Sequence, residues 1–340
     1  MNTNHQAWLA KVKEEAIDPD LPIIDAHHHF LNLPDNRYLL DEILQDTNSG
    51  HNVVQTIFVE SAAMYRTVGP EALRPVGETE FVRRIAEGSE AVFPAMTRVA
   101  AGIVGFADLT LGADVLPVLE AHIAAADGRF RGIRHAVGWD AADSIPNAHT
   151  NPPRGLMSDS TFRLGFSMLN RYDLSFDARI YHPQLEEFAE LARLFPETAI
   201  ILDHVGGPLG IGPYAGKHKA VFDQWRRGID QAATCDNVAV KLGGLAMKLC
   251  GFRWHEQPAP PTSAVLAEAM RPFFEYCIER FGVERCMFES NFPTDKPSCA
   301  YAVLWNAYKR ITQSYSEHER AALFYGTASQ VYGLDETELD

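Results

Sequence analysis

The stretch Pro22-Ile23-Ile24-Asp25-Ala26-His27-His28-His29-Phe30 runs an apolar strand into three consecutive histidines. In an extended strand alternate side chains share a face, so His27 and His29 are expected to point the same way, with Asp25 one pleat below them. Two imidazoles on one face, at the C-terminal end of a buried strand, can bind a divalent cation or move protons. The competing reading, a polar strand end with surface histidines, fits poorly with the Pro22-Ile23-Ile24 lead-in, which predicts burial.

Further β-rich runs follow at 53–60, 101–109, 130–135, 174–180, 199–204, 238–242 and 285–290. Between them, segments 78–87, 113–126, 161–170, 183–194, 219–233 and 264–281 carry helical periodicity, and a last helical region covers 301–332. Eight apolar strands alternating with helices predict an α/β fold, a single (β/α)8 TIM barrel with an additional C-terminal helix. An open doubly wound sheet is the alternative, but no glycine-rich phosphate loop follows the first strand. Residues 1–340 read as one domain, with 1–20 as a polar N-terminal extension that lacks an apolar leader segment. Pro- and Gly-containing loops at 141–155, 206–216 and 251–261 follow strands four, six and seven, on the face where a barrel builds its site.

The formal net charge of -15 argues against nucleic acid as a partner, because phosphates require clustered Lys and Arg. It leaves room for a small anionic substrate held by local arginines. Five cysteines without CxxC spacing predict reduced thiols and a cytoplasmic protein. No apolar run approaches the roughly 18 residues that span a bilayer. Association through the aromatic-rich 301–325 region into a homo-oligomer is a further expectation.

The predicted strand ends carry polar groups to one rim. They are His27 and His29, Glu60, Asp108, Arg134 and His135, Asp177 and His182, His204, Lys241, and finally Glu289 and Asn291. Here the sequence resembles the amidohydrolase superfamily, nearest to the single-domain barrels that include 2-pyrone-4,6-dicarboxylate lactonases and sugar-lactone hydrolases. The resemblance rests on five segments in order: the Asp25-Ala26-His27-His28-His29-Phe30 opening, Phe130-Arg131-Gly132-Ile133-Arg134-His135, Leu202-Asp203-His204-Val205-Gly206, Val240-Lys241-Leu242-Gly243-Gly244 and Ser290-Asn291-Phe292-Pro293. It implies that His27, His29 and His204 surround the reaction centre. In metal-dependent relatives such groups hold one divalent ion, zinc or manganese; in metal-free relatives histidines and cations polarise the carbonyl directly. Both modes stay open at this point.

The chain departs from the family at the last strand, which usually ends in an aspartate that deprotonates the attacking water. Here that position is Asn291, and an amide accepts no proton near neutral pH. Two residues earlier stands Glu289, where the family tends to have glycine. Either the carboxylate has moved back one pleat to Glu289, or Glu289 pairs with Lys241 inside the barrel and another group is the base. Asp295 is a third candidate, expected to be solvated beside Lys296. Arg134 suits bidentate grip of a substrate carboxylate; His182, Lys241 and Glu60 are further substrate-binding candidates. Glu60 and Asp108 also suit capping of the turns that follow them. Tyr65, Arg66, Tyr172 and Trp254 lie in candidate loop walls, and the sequence does not rank them.

These residues point to hydrolysis of a small lactone or carboxylic ester by water attacking a carbonyl polarised by the histidine cluster. The alternative is a metal-dependent lyase, a decarboxylase or hydratase acting on an aromatic or unsaturated acid, which the Asn291 departure favours. A non-catalytic barrel that retained its pocket is a third reading.

Overall fold

The structure, a computed structural model, describes residues 3–33, 36–93 and 96–334. Eight strands form one sheet in sequential order: β1 (Ile23–His28), β2 (Val53–Val59), β3 (Arg98–Gly105), β4 (Phe130–Ile133), β5 (Ser175–Ala178), β6 (Ile200–Leu202), β7 (Val238–Leu242) and β8 (Cys286–Phe288). Each pairs in parallel with the next. The ring closes just past β8, where the Asn291 amide donates to the His27 carbonyl at 2.9 Å and the His29 amide to the Phe292 carbonyl at 2.8 Å. The predicted barrel is therefore present, and its strands are buried along almost their whole length, as helices on the outside and packed side chains within require.

The coat comprises α1 (Thr3–Leu9), α2 (Leu40–Thr47), α3 (Val76–Val92), α4 (Leu116–Ala125), α5 (Ser160–Ser167), α6 (Leu185–Leu194), α7 (His218–Ala233), α8 (Ser263–Phe281) and α9 (Tyr301–Ile311). Local chemistry sets several starts. The Asp159 carboxylate accepts the amides of Thr161 and Phe162 at the head of α5, and Thr262 caps α8. The N-terminal segment is strapped to the outer helices: Glu14 accepts the Ser263 amide at 2.8 Å, and Asn306 of α9 accepts the Ile17 amide at 2.8 Å.

Beyond α9 come α10 (Glu317–Ala321), a π turn over Ala322–Gly326 and α11 (Thr327–Val331). Ala328, Tyr332 and Leu334 pack against Ile24, Ile57, Ile201 and Met287 inside the barrel, beneath the histidines. The aromatic residues expected to offer an association surface are instead internal. Tyr301, Trp305, Tyr308 and Phe324 are buried against one another and against Phe288 and Phe292, because they carry the packing of α9 onto the barrel. The five cysteines are buried and unpaired. Among the described residues no helix is long and apolar enough to cross a membrane.

Candidate active site

β1 contains a bulge. Asp25 pairs with Thr56 and His28 with Phe58, so three steps on β1 oppose two on β2. The extra residue breaks the alternation, and Asp25 does not lie under the histidines as expected. It turns towards β8 and the coat, accepting the Ser290 amide at 2.8 Å and the Tyr301 hydroxyl at 2.9 Å. Burial pushes its carboxyl up to about 6. His27 and His29 do share the inner face, with their Nε2 atoms 3.2 Å apart, and His29 is oriented by Nδ1 contacting the Val59 carbonyl at 2.8 Å. His28 faces away, against Thr56, Phe30 and Phe58.

At the end of β6 the chain turns through left-handed backbone at His204 (φ 54) and Val205 (φ 47). A β-branched residue in that region is strained, a cost that functional sites commonly retain. The turn brings two neighbouring side chains to one centre. Asp203 reaches Lys241 Nζ at 3.1 Å and His27 Nδ1 at 3.5 Å, while His204 Nδ1 meets Glu289 Oε1 at 2.6 Å. Asp203 was not anticipated as a site residue, since regular alternation would have sent it outward once His204 faced in.

Glu289 links two histidines, with Oε1 on His204 and Oε2 2.9 Å from His27 Nδ1. Burial would raise its carboxyl, but His204 and His27 outweigh that and hold it at about 2. The alternative ion pair with Lys241 is not formed; among the described residues Lys241 pairs with Asp177 at 2.5 Å and with Asp203. Two glycines make this arrangement sterically feasible. A methyl group on Gly243 would lie 2.3 Å from Glu289 Cγ, and one on Gly244 would lie 2.5 Å from His204 Cβ.

Arg134 completes the cluster from β4. Its Nε donates to Glu60 Oε1 at 2.7 Å, another nitrogen donates to the Glu60 carbonyl, and Nη1 lies 3.2 Å from His27 Nε2. The fork expected to grip a substrate carboxylate is thus turned onto the protein itself. His149, from the long loop after β4, places Nε2 3.1 Å from Glu60 Oε2. Burial opposes ionisation of Glu60, yet Arg134 and His149 hold it at about 2. Below, the Tyr332 hydroxyl donates to Asp177 at 2.8 Å and its ring lies under Lys241 Nζ. Both ring nitrogens of His27 therefore face an obligate donor, Arg134 on one side and Lys241 on the other, each at 3.2 Å. A neutral imidazole has one lone pair. Accepting from Arg134 at Nε2 leaves Nδ1–H for Glu289.

His27, His204 and Glu289 present ligand atoms that all lie within 4.8 Å of one another. This differs from the expected set of His27, His29 and His204, because Glu289 supplies a third ligand on the Nδ1 side of His27. The donor chemistry fits a divalent cation. Four buried carboxyls (Glu60, Asp177, Asp203, Glu289) face two buried cations, Arg134 and Lys241, and Arg179, just past β5, lies within electrostatic reach of Glu60 and Asp203. Asp203 faces Lys241 Nζ at 3.1 Å and Arg134 Nη1 at 3.6 Å, and Glu289 Oε2 faces His27 Nδ1 at 2.9 Å. Imidazolium protons or one metal ion would complete the neutralisation.

Several expected residues lie elsewhere. The His182 ring packs edge-on against Tyr214, and its Nδ1 accepts the Leu209 amide at 3.3 Å, so its recorded contacts are outside the cluster. Asn291, at φ 54, donates to Asp295 Oδ1 at 3.1 Å. Asp295 is not solvated but fully buried; it also accepts the Ala246 amide, and burial with Glu289 nearby pushes its carboxyl well up. Asp108 caps the Thr110 amide at 2.9 Å, as a strand-end acid can. Of the loop-wall residues, Arg66 pairs with Glu80, Tyr172 bonds Glu120 and Trp254 stacks on Phe252, leaving Tyr65 facing a cavity. A cleft of about 360 Å³ near Phe222, Phe252 and Phe273 touches none of the cluster. His204 itself borders a void of about 10 Å³, room for roughly one water.

Comparison with known proteins agrees with this architecture. Residues 24–334 match the amidohydrolase family. The chain is 34% identical over 327 residues to the uncharacterized protein y4mH of Sinorhizobium fredii, covering 92% of this chain and 99% of that one. It is 25% identical over 330 residues to an L-fucono-1,5-lactonase of Burkholderia ambifaria, with 92% and 96% covered. Among solved structures, an amidohydrolase from Burkholderia multivorans with bound zinc superposes with a TM-score of 0.70 at 24% identity, over 92% of this chain and 99% of that one. With the barrel, the paired histidines of β1 and the matched family spanning nearly its whole length, the chain belongs to the amidohydrolase family of enzymes.

Proposed function

We propose that this enzyme hydrolyses a lactone or carboxylic ester of a small molecule. The observation that carries the reading is Glu289 bridging His204 and His27 at 2.6 and 2.9 Å, which restores a carboxylate to a site whose β8 end offers only Asn291. Relatives named L-fucono-1,5-lactonase, at 25% and 27% identity, support the reaction class.

Glu289 alone is a weak base, because its histidine partners hold it so acidic. Paired with His204 it acts as an orienting anion: His204 Nδ1–H donates to Oε1, leaving Nε2 as the basic nitrogen. A water attacks the carbonyl carbon and its proton passes to the Glu289–His204 pair. The oxygen gains negative charge facing Arg134 and Lys241, whose cationic forms are favoured by Glu60, Asp203 and Asp177 despite burial. The ring or ester C–O bond then breaks, and the pair returns the proton to the departing alkoxide. The product is a hydroxy acid, or an acid and an alcohol. His27, His204 and Glu289 would hold a divalent cation, and such an ion would supply further Lewis acidity to the carbonyl oxygen.

The lyase alternative drew its weight from the missing aspartate, and Glu289 now fills that chemical role in the proposal. A pH-indicator assay with lactones, run beside CO2 detection with aromatic acids, tests the reading. Proton release with lactones is expected; CO2 release without it would replace hydrolysis by decarboxylation. Metal content, with turnover before and after chelation, establishes whether a cation participates.

A further inference from the structure

The catalytic cluster is sealed, and a substrate must approach it from the loops above. His27, Glu60, Lys241 and Glu289 have no exposed surface, whereas the side chain of His149 is 37% exposed. A cavity of about 560 Å³ lies between the loop after β2 and the loop after β3, and one of its wall residues, Phe106, packs against His149. Its walls include Tyr65, Pro75, Phe106 and Leu111, with Glu71, Arg74 and Asp108 contributing charge at the rim. Phe106 is also the link to the site. Its ring packs edge-on against His135 at 5.2 Å and His149 at 6.4 Å, and His149 in turn contacts Glu60. Tyr65 follows Glu60 by five residues and lies within electrostatic reach of both Glu60 and Arg134.

We propose that this cavity is the substrate's leaving-group or acyl-substituent subsite, and that it selects lactones and esters bearing an alkyl or aryl substituent over polyhydroxylated sugar lactones. The inference rests on the hydrolytic reading above and names its substrate class. A sugar ring presents several hydroxyls, each of which must exchange water for a protein partner on binding. The walls offer ring faces and aliphatic carbons instead. Asp108 holds the Thr110 amide and hydroxyl through Oδ1, and Glu71 and Arg74 are exposed to solvent. Such a wall favours apolar surface by roughly fourfold per methylene buried. The cavity volume accommodates a phenyl group or a short alkyl chain with room to spare.

The test measures kcat/KM for δ-valerolactone, for δ-lactones with alkyl substituents of increasing length, for dihydrocoumarin and for a sugar 1,5-lactone. The expected result is a rise of about fourfold per added methylene over the first few carbons, with the sugar lactone below the alkyl series. Leu111→Asp places a charge in the half-buried wall, at the edge of the core, and its fold is checked by circular dichroism. It should flatten the series, lowering the substituted-to-unsubstituted ratio by about tenfold or more. Phe106→Leu should flatten it less and provides a milder second variant. Turnover of δ-valerolactone with no dependence on chain length, or a preference for the sugar lactone, overturns the subsite and leaves the hydrolytic reading standing. Absence of turnover with every lactone and ester overturns that reading and the subsite with it.

Discussion

Glu289 Oε1 and His204 Nδ1 lie 2.6 Å apart, a charge-assisted contact in which Glu289 has no exposed surface and His204 almost none. It joins the last strand of the barrel to the sixth and sets which nitrogen of His204 is free to act.

Replacing the anion should therefore disable the site without unfolding it. Glu289→Gln keeps the shape and an acceptor oxygen but removes the charge that favours proton transfer to His204. A fall in kcat of about 10²–10⁴ is expected, with a circular dichroism spectrum like that of the parent. Turnover close to the parent value would move the proton acceptor away from this pair.

Restoring the aspartate usual at the β8 end should not help. Asn291→Asp would set a second carboxyl against Asp295 Oδ1, now 3.1 Å from the Asn291 amide nitrogen. Asp295 is already pushed well up by burial and Glu289, so the new pair must share a proton or repel. A loss of about 1–3 kcal/mol in urea unfolding at pH 7 is expected, and no rescue when combined with Glu289→Gln. Recovery of activity in the double variant would show that position 291 still addresses the water.

Tyr332 reaches into the barrel from the C-terminal segment and donates to Asp177, the partner of Lys241. Asp177 Oδ1 already has no hydrogen-bond donor. Tyr332→Phe would leave the other oxygen with Lys241 alone, at a cost of about 1–3 kcal/mol. If the chain from Tyr332 through Asp177 and Lys241 positions His27, kcat falls while KM changes little. An unchanged kcat would confine Tyr332 to packing.

Acid should unfold this protein well above the ordinary carboxylate range. Burial holds His51, His122, His135 and His182 each at about 4, against 6.5 in an unfolded chain. Between those values the unfolded state binds more protons, so stability falls as pH falls. Buried acids with raised carboxyls act in the opposite sense. Burial and Glu60 push Glu78 up to about 8, and burial pushes Asp25 to about 6, so the folded state binds their protons first. His28, at about 3, and His29, well below 6.5, join those histidines, and Asp295, pushed well up, joins the acids. From pH 6 to 4.5 the histidines outnumber the acids, so stability slopes downward by a few kcal/mol per pH unit. Urea titrations across this range should show that slope; a flat profile down to pH 4.5 would mean the histidines are charged in the fold.

The barrel was legible because each strand is a short, nearly continuous apolar run, the pattern that burial on both faces imposes. The three-residue hairpin strands Leu31–Leu33 and Asn36–Tyr38 were not, since three residues are too few to show a period. At the site, the positions of His27, His29, His204, Arg134, Lys241 and Glu289 followed from strand ends. What alternation misread were places where the backbone departs from it. The bulge in β1 sent Asp25 outward, and the left-handed turn at His204 brought Asp203 inward beside its neighbour. Asp295 was misjudged for another reason: adjacency to a lysine in sequence says nothing about burial, and Lys296 pairs instead with Asp46.

The space at Gly243 is claimed twice over. Glu289 Cγ lies 2.3 Å and the Glu289 backbone carbonyl oxygen 2.6 Å from where a methyl group at 243 would stand. A side chain there would collide with the main chain of the last strand as well as with the carboxylate arm. Shortening the residue at 289 therefore cannot make room for it, and Gly243→Ala should separate the seventh and eighth strands at the rim.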